Sequence, residues 1–196
     1  FFYYIIKCSN YEVTKEINMH KDINNQLSKL QIREILEEDA VITLKLVLEM
    51  ADESDNYPFT SEDYAMSIEN QRSFINYMNS LDNCIFLGAF IENELCGILY
   101  LEGGRRQRTY HICNLGMGVK KEYWNNKIGS ALMSKALEFV YDSEHIAKVD
   151  LQVRIDNKYA IALYKKFGFE IEGKNKRALF IDGDFVDYLN MGKIID

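Results

Sequence analysis

The sequence predicts an α/β protein of the mixed α+β kind, with an antiparallel run of strands first and a helix–strand alternation after it. Three observations predict this. Residues 85–91, 95–102 and 110–119 are apolar-rich strand segments in immediate succession. From residue 128 onward an amphipathic helix, a strand and a second amphipathic helix follow one another. The chain has 196 residues, 47% of them hydrophobic, enough for one sizeable core and short for two.

Taken in order, residues 1–29 read as an N-terminal extension and residues 30–196 as the folded domain. The apolar opening at 1–6 is too short for a signal-peptide core and has no basic region before it. Residues 18–29 are polar and Asn-rich, the chain begins with Phe, and Met19 is a candidate natural start. Residues 30–35 alternate apolar and charged side chains as a half-buried strand does, and Glu38-Asp39 leads into a helical stretch at 41–50. The single proline, Pro58, lies in Asn56-Tyr57-Pro58-Phe59 between two helical stretches. Ser61-Glu62-Asp63 is expected to cap the second of these, which runs to about residue 78. A loop so placed suits a cover over a substrate.

Glu92-Asn93-Glu94 reads as a hairpin turn, and the basic loop 105–108 leads into the strand at 110–119. Ile128, Ala131, Leu132, Lys135, Ala136, Phe139 and Val140 define one mostly apolar helix face ending near Asp142. A strand at 149–153 comes next. Asp156 is then expected as the N-cap of a helix whose stripe is Ala160, Leu163, Tyr164 and Phe167, closed by Gly168 in a left-handed cap. Residues 169–172 and 177–181 read as two short strands, and Asp182-Gly183 as a hairpin turn into 185–191.

Composition excludes several classes. With 23 Lys and Arg against 30 Asp and Glu, the net charge of −7 repels nucleic acid and anionic membrane and favours cationic amines. No segment approaches the ~20 apolar residues that span a bilayer. Cys8, Cys84, Cys96 and Cys113 show no C-x-x-C spacing and three fall in expected strands, so buried reduced thiols and a cytoplasmic setting are expected, with no metal.

Two linked signals between Leu115 and Gly173 carry chemistry. A strand runs into Trp124-Asn125-Asn126-Lys127-Ile128-Gly129-Ser130 and a helix, and Asp156-Asn157 opens a second helix through Tyr164. Backbone N–H groups at a helix start suit a pyrophosphate. An asparagine and a tyrosine one strand later suit the rest of a thioester carrier and the protonation of a leaving sulfur. On its helical stripe alone, Tyr164 reads first as a core tyrosine.

These residues resemble the GNAT superfamily of N-acetyltransferases. The resemblance rests on Gly-Val-Lys-Lys-Glu-Tyr-Trp-Asn-Asn-Lys-Ile-Gly-Ser-Ala-Leu at 118–132, on Asp156-Asn157 with Ala160-Ile161-Ala162-Leu163-Tyr164-Lys165-Lys166-Phe167-Gly168-Phe169, and on Glu172-Gly173. The ending Asp182-Gly183-Asp184-Phe185-Val186-Asp187 with Met191 is similar to the branch that includes the ribosomal-protein N-terminal acetyltransferases. The resemblance covers nearly all of 30–195 and implies a GNAT-like central sheet, mixed but mostly antiparallel, with a splayed parallel strand pair and flanking helices. It implies acetyl-CoA as acetyl donor, its pantetheine arm lying beside the strand 111–119. Met117, Gly118, Val119, Trp124, Asn125, Asn126, Lys127, Ile128, Gly129, Ser130, Asn157 and Tyr164 are then the cofactor-binding set, with a backbone N–H as oxyanion donor and Tyr164 as general acid. Homodimerisation is a further expectation from the family.

The chain departs from the family's loop pattern at two anchors. Trp124 stands where Gln or Arg is usual, and Lys127 where glycine gives freedom of backbone angle. The lysine ammonium suits a phosphate instead. For the base that deprotonates the amine, Glu34, Glu102, His111 and Asn114 are the candidates, and His111 is preferred. It reads equally as a half-buried strand histidine.

Gly116-x-Gly118 lacks the third glycine of a dinucleotide loop and reads as a strand irregularity. Two function classes remain open. One is acetyl transfer to the primary amine of a small molecule, such as a polyamine or amino acid, or of a protein N-terminus, by direct transfer in a ternary complex. The other is a non-catalytic acyl-CoA-binding module on the same fold.

Overall fold

The computed structural model describes residues 28–196. The expectations for residues 1–27, Met19 and Cys8 included, lie outside the described residues. Seven strands form one sheet in the order β1-β2-β3-β4-β5-β7-β6. They are β1 (Leu30–Glu34), β2 (Ile85–Ile91), β3 (Glu94–Gly103), β4 (Ile112–Val119), β5 (Lys148–Arg154), β6 (Glu170–Ile181) and β7 (Asp184–Ile194). Helices α1 (Ala40–Glu53), α2 (Ile68–Asn79), α3 (Ile128–Asp142) and α4 (Lys158–Lys166) flank it. Every neighbouring pair is antiparallel except β4 and β5.

The strand β2 explains the layering. It is buried at all seven positions, so its two faces serve two cores. Leu87, Ala89 and Ile91 pack with Leu132, Met133 and Val140 of α3. Phe86 and Phe90 pack with Met50 of α1 and with Ile75 and Met78 of α2. The sheet therefore lies between α1 and α2 on one face and α3 on the other. We call the α1–α2 side the front. Cys84, Cys96 and Cys113 are buried free thiols within these cores, and among the described residues no helix is long and apolar enough to cross a membrane.

Local chemistry sets the turns. Glu92 and Asn93 take positive φ between β2 and β3, and Asp182 (φ 50°) with Gly183 (φ 91°) makes the expected tight turn between β6 and β7. Gly168 closes α4 at φ 84°, as its position predicted.

Four expectations are corrected. Ser61-Glu62-Asp63 does not cap α2; it lies in a turn where Thr60 N–H donates to Asp63 (2.8 Å), and Ser67 Oγ caps the helix by accepting from Asn70 N–H (3.1 Å). Asp156 does not cap α4. It is held by the Arg154 guanidinium at 3.0 and 2.7 Å, which leaves Asn157 Oδ1 to accept from Ala160 N–H at 3.1 Å. The segments 169–172 and 177–181 are one strand, β6, kept in one ladder by irregularities at 171–173 and 175–179, with Arg177 at φ 55°. Gly116 and Gly118 are not irregular; they sit in an unbroken register with Tyr100 and Ile98 of β3.

Candidate active site

The site begins where the sheet opens. Strands β4 and β5 have eight and seven residues but pair over only three, Ile112 with Lys148, Cys113 with Val149 and Asn114 with Asp150. Beyond that point β4 stays on β3 and β5 stays on β7, and a gap opens between them. Lys120 N–H donates to Cys96 C=O (2.9 Å) opposite it on β3. Main-chain groups alternate sides along a strand, so those of Gly118 and Gly116 also point at β3, and those of Val119 and Met117 point into the gap. Val119 C=O accepts the Trp124 indole N–H at 2.7 Å, which leaves its N–H and both groups of Met117 along the edge.

The loop at the wide end of the gap follows a short 3-10 turn at Lys121–Tyr123. Asn125 and Lys127 both adopt φ 62°, and Lys127 is the N-cap residue of α3 without a side-chain cap bond. The left-handed angle accounts for the glycine usual at this anchor, and the lysine takes it nonetheless. Ile128, Gly129 and Ser130 form the first turn of α3, where N–H groups have no intrahelical acceptor and the helix dipole is positive. Asn126 turns its amide back onto Trp124 C=O at 3.0 Å. Trp124 thus replaces a polar anchor by a bond from its ring to the strand end, holding the loop shut on β4.

Across the gap stands Tyr164, 6% exposed, its ring 5.9 Å from that of Phe169. Burial pushes its phenol well above the usual tyrosine value, so it stays protonated and available as a donor. Asn157 lies one helix start away; its Oδ1 accepts the cap bond, and its amide Nδ2 is left to donate to a ligand. One cleft of about 1920 Å³ joins these groups to the front face of the sheet, larger than a drug-sized pocket. Met117, Gly118, Val119, Trp124, Asn125, Lys127, Ile128, Gly129, Ser130, Asn157 and Tyr164 all line it.

His111 does not reach this cleft. It is exposed ahead of β4 at the closed end of the splay, where its carbonyl accepts from Ala147 N–H (2.9 Å) and Lys148 N–H (3.1 Å). Glu34 also lies away from the lining residues, whereas Glu102 and Asn114, opposite one another on β3 and β4, belong to them. Near them Lys148 lies between Asp150 (2.9 Å) and Glu172 (2.7 Å). Glu102, Asp150 and Glu172 stand toward the apex of the splay, whereas the rest of the cleft carries both signs, with Lys127, Lys158 and Arg154 beside Glu53, Asp55 and Asp156.

Sequence reading expected a cover from the α1–α2 connection, whose Asn56, Tyr57, Pro58 and Phe59 line the cleft, but missed what anchors it. Arg154 Nη1 donates to Asp55 C=O at 2.6 Å, and Glu53 accepts from Lys121 N–H at 2.7 Å, so the connection is tied to both sides of the gap. No local pattern joins residues 99 apart. A signal did exist for Tyr57 and Tyr100: glycines at alternate positions of one strand leave a groove on one face, and a Cβ on Gly118 or Gly116 would overlap the Tyr57 hydroxyl or the Tyr100 ring.

Comparisons with known proteins agree with this architecture. The acetyltransferase (GNAT) family matches residues 45–169. Over 108 residues the chain is 33% identical to the L-amino acid N-acetyltransferase AaaT of Escherichia coli (strain K12), covering 55% of this chain and 67% of that enzyme. Over 128 residues it is 24% identical to the ribosomal protein uS5-alanine N-acetyltransferase of the same strain, covering 64% and 66% respectively. These alignments span about two thirds of each relative's length. The structure of an acetyltransferase of the GNAT family from Streptococcus pneumoniae superposes with a TM-score of 0.82 at 34% identity, over 85% of this chain and 99% of that one. The opened strand pair, the loop at the start of α3 and the family match converge: the chain belongs to the GNAT family of acetyltransferases.

Proposed function

We propose that this protein transfers an acetyl group from acetyl-CoA to the primary amine of an amino acid, a polyamine or a protein N-terminus, directly and in a ternary complex. The observation that carries the reading is the splay. An extended carrier arm fits beside β4 as an added strand, bonding to the edge groups of Met117 and Val119. The turn that follows offers the first-turn N–H groups of α3 and the Lys127 ammonium to a pyrophosphate. When bound, the donor supplies an activated thioester carbonyl.

The chain's residues supply the rest. Met117 N–H faces the position of the developing oxyanion, and Tyr164 protonates the departing thiolate. An incoming ammonium enters past the carboxylates of Glu102, Asp150 and Glu172 and must lose its proton before attack. The base we assign is Glu102, acting through water oriented by Asn114, in place of His111, which stands outside the cleft. Named relatives acting on amino acids and on a ribosomal protein support both acceptor classes.

The test is calorimetric titration with acetyl-CoA and CoA, with ATP and NAD as controls, followed by a panel of amino acids, polyamines and short peptides. Saturable binding selective for the CoA species, with turnover of one amine class, is expected. No binding of either CoA species would overturn the reading. Binding without turnover across the panel would favour a non-catalytic acyl-CoA module.

A further inference from the structure

The pair of glycines on β4 has a purpose beyond strand pairing. Gly116 and Gly118 flank Met117 and turn the same face of the sheet toward α1 and α2, because side-chain positions alternate along a strand. Both sit in a regular ladder at ordinary backbone angles, so neither is glycine for conformational reasons. What each lacks is a Cβ, and a tyrosine occupies the space. A Cβ on Gly118 would overlap the Tyr57 hydroxyl and come within 2.8 Å of Met50 Sδ; one on Gly116 would overlap the phenol end of the Tyr100 ring.

Neither hydroxyl is used well by the protein. The Tyr57 hydroxyl lies 3.5 Å from Met50 Sδ, a weak acceptor. Tyr100 is fixed through its ring, edge-on to Phe74 and Phe86 with centroids 6.3 and 6.2 Å away, which leaves its hydroxyl free to choose an acceptor. Burial raises both phenols, Tyr57 to about 12, so both remain protonated donors across the working pH range.

Resting on the acetyl-transfer reading, we propose that the hydroxyls of Tyr57 and Tyr100 complete the oxyanion site, donating hydrogen bonds to the thioester carbonyl oxygen from the front of the sheet while Met117 N–H donates from the strand edge. The amine nitrogen attacks the carbonyl carbon, and the C=O electron pair moves onto oxygen, where the three donors meet it. When that pair returns, the C–S bond breaks and the thiolate takes the Tyr164 proton. The ammonium proton leaves through water toward Glu102. Tyr57 and Tyr100 neither gain nor lose a proton.

The test uses [1-13C]acetyl-CoA bound without any amine, read by isotope-edited infrared spectroscopy. In the wild type the carbonyl band is expected at lower frequency than in free acetyl-CoA. Tyr57→Phe and Tyr100→Phe should each give back part of that shift and the double variant most of it, with acetyl-CoA affinity by calorimetry within about twofold. Gly118→Ala, whose Cβ would meet the Tyr57 hydroxyl and Met50 Sδ and so push that phenol from its place, should reproduce the Tyr57→Phe spectrum if Tyr57→Phe folds poorly. Tyr164→Phe should leave the band in place. Turnover of an amine accepted by the wild type should fall about 10²-fold in the double variant. A wild-type band at the free frequency, or a double variant that binds acetyl-CoA and keeps the full shift, overturns the proposal while leaving acetyl transfer intact. A wild type that binds no acetyl-CoA overturns both.

Discussion

Replacing Lys127 by glycine separates two roles of one residue. Lys127 holds φ 62° and ψ 8° at the N-cap of α3, a region that costs a residue with a Cβ about 1 kcal/mol relative to glycine. An N-cap glycine is itself nearly as good as a polar cap, so little is lost there. Lys127→Gly should therefore be more stable than Lys127→Ala by about 1 kcal/mol, which for a chain of this length is a melting difference of about 2–4 °C. Both variants lose the ammonium. A partly exposed charge facing a phosphate is worth about 0.5–1 kcal/mol, so both should bind CoA about two- to fivefold more weakly, a deficit that shrinks in high salt as the charges are screened. The assay is a melting curve and a calorimetric titration on the three proteins at low and high salt. The reasoning fails if Lys127→Gly melts no higher than Lys127→Ala, or if CoA affinity follows stability instead of charge.

Three other outcomes are expected. Tyr164→Phe should lower kcat about 10²-fold or more with CoA affinity nearly unchanged; because burial raises the phenol above its usual ~10, wild-type kcat should show no alkaline loss below about pH 10. Asn157→Ala should cost about 1 kcal/mol by removing the α4 cap, and Asn157→Ser should restore it; if the serine variant also binds CoA like the wild type, Asn157 is a cap only. Arg33 donates to both oxygens of Asp39 at 2.6 and 2.9 Å and holds that carboxyl below its usual value. A depressed carboxyl adds stability above its ordinary pKa of ~3.9 and loses it as pH falls through the folded value. Arg33→Met should thus destabilise the fold by about 1–2 kcal/mol at pH 7, allowing for solvent exposure, with the gap closing below about pH 4 in denaturant titrations.

Much of the fold was legible because it is local. Alternation marked β1, the apolar run 85–91 marked the first strand of a hairpin, and the stripes from Ile128 and Ala160 marked α3 and α4. Asp182-Gly183 and Gly168 were readable because few residues tolerate positive φ. The turn that leads into α3 was readable because a strand, a turn and a helix start lie within a few residues of one another. Errors came where side chains of similar type compete over short distances. Asp156 is as good a cap as Asn157 until Arg154 takes its carboxylate. His111 looked close to the chemistry because it precedes β4, yet the cleft opens at the other end of that strand.

The sequence by itself therefore determined the order of elements, the positions of the turns and the loop that starts α3, because each depends on the period and backbone freedom of neighbouring residues. Only the tertiary structure decided where β4 leaves β5, that Arg154 ties down Asp55, and that two phenols stand on Gly116 and Gly118. Those arrangements join residues far apart in the chain, and their energy comes from packing and hydrogen bonds that exist only once the sheet has assembled.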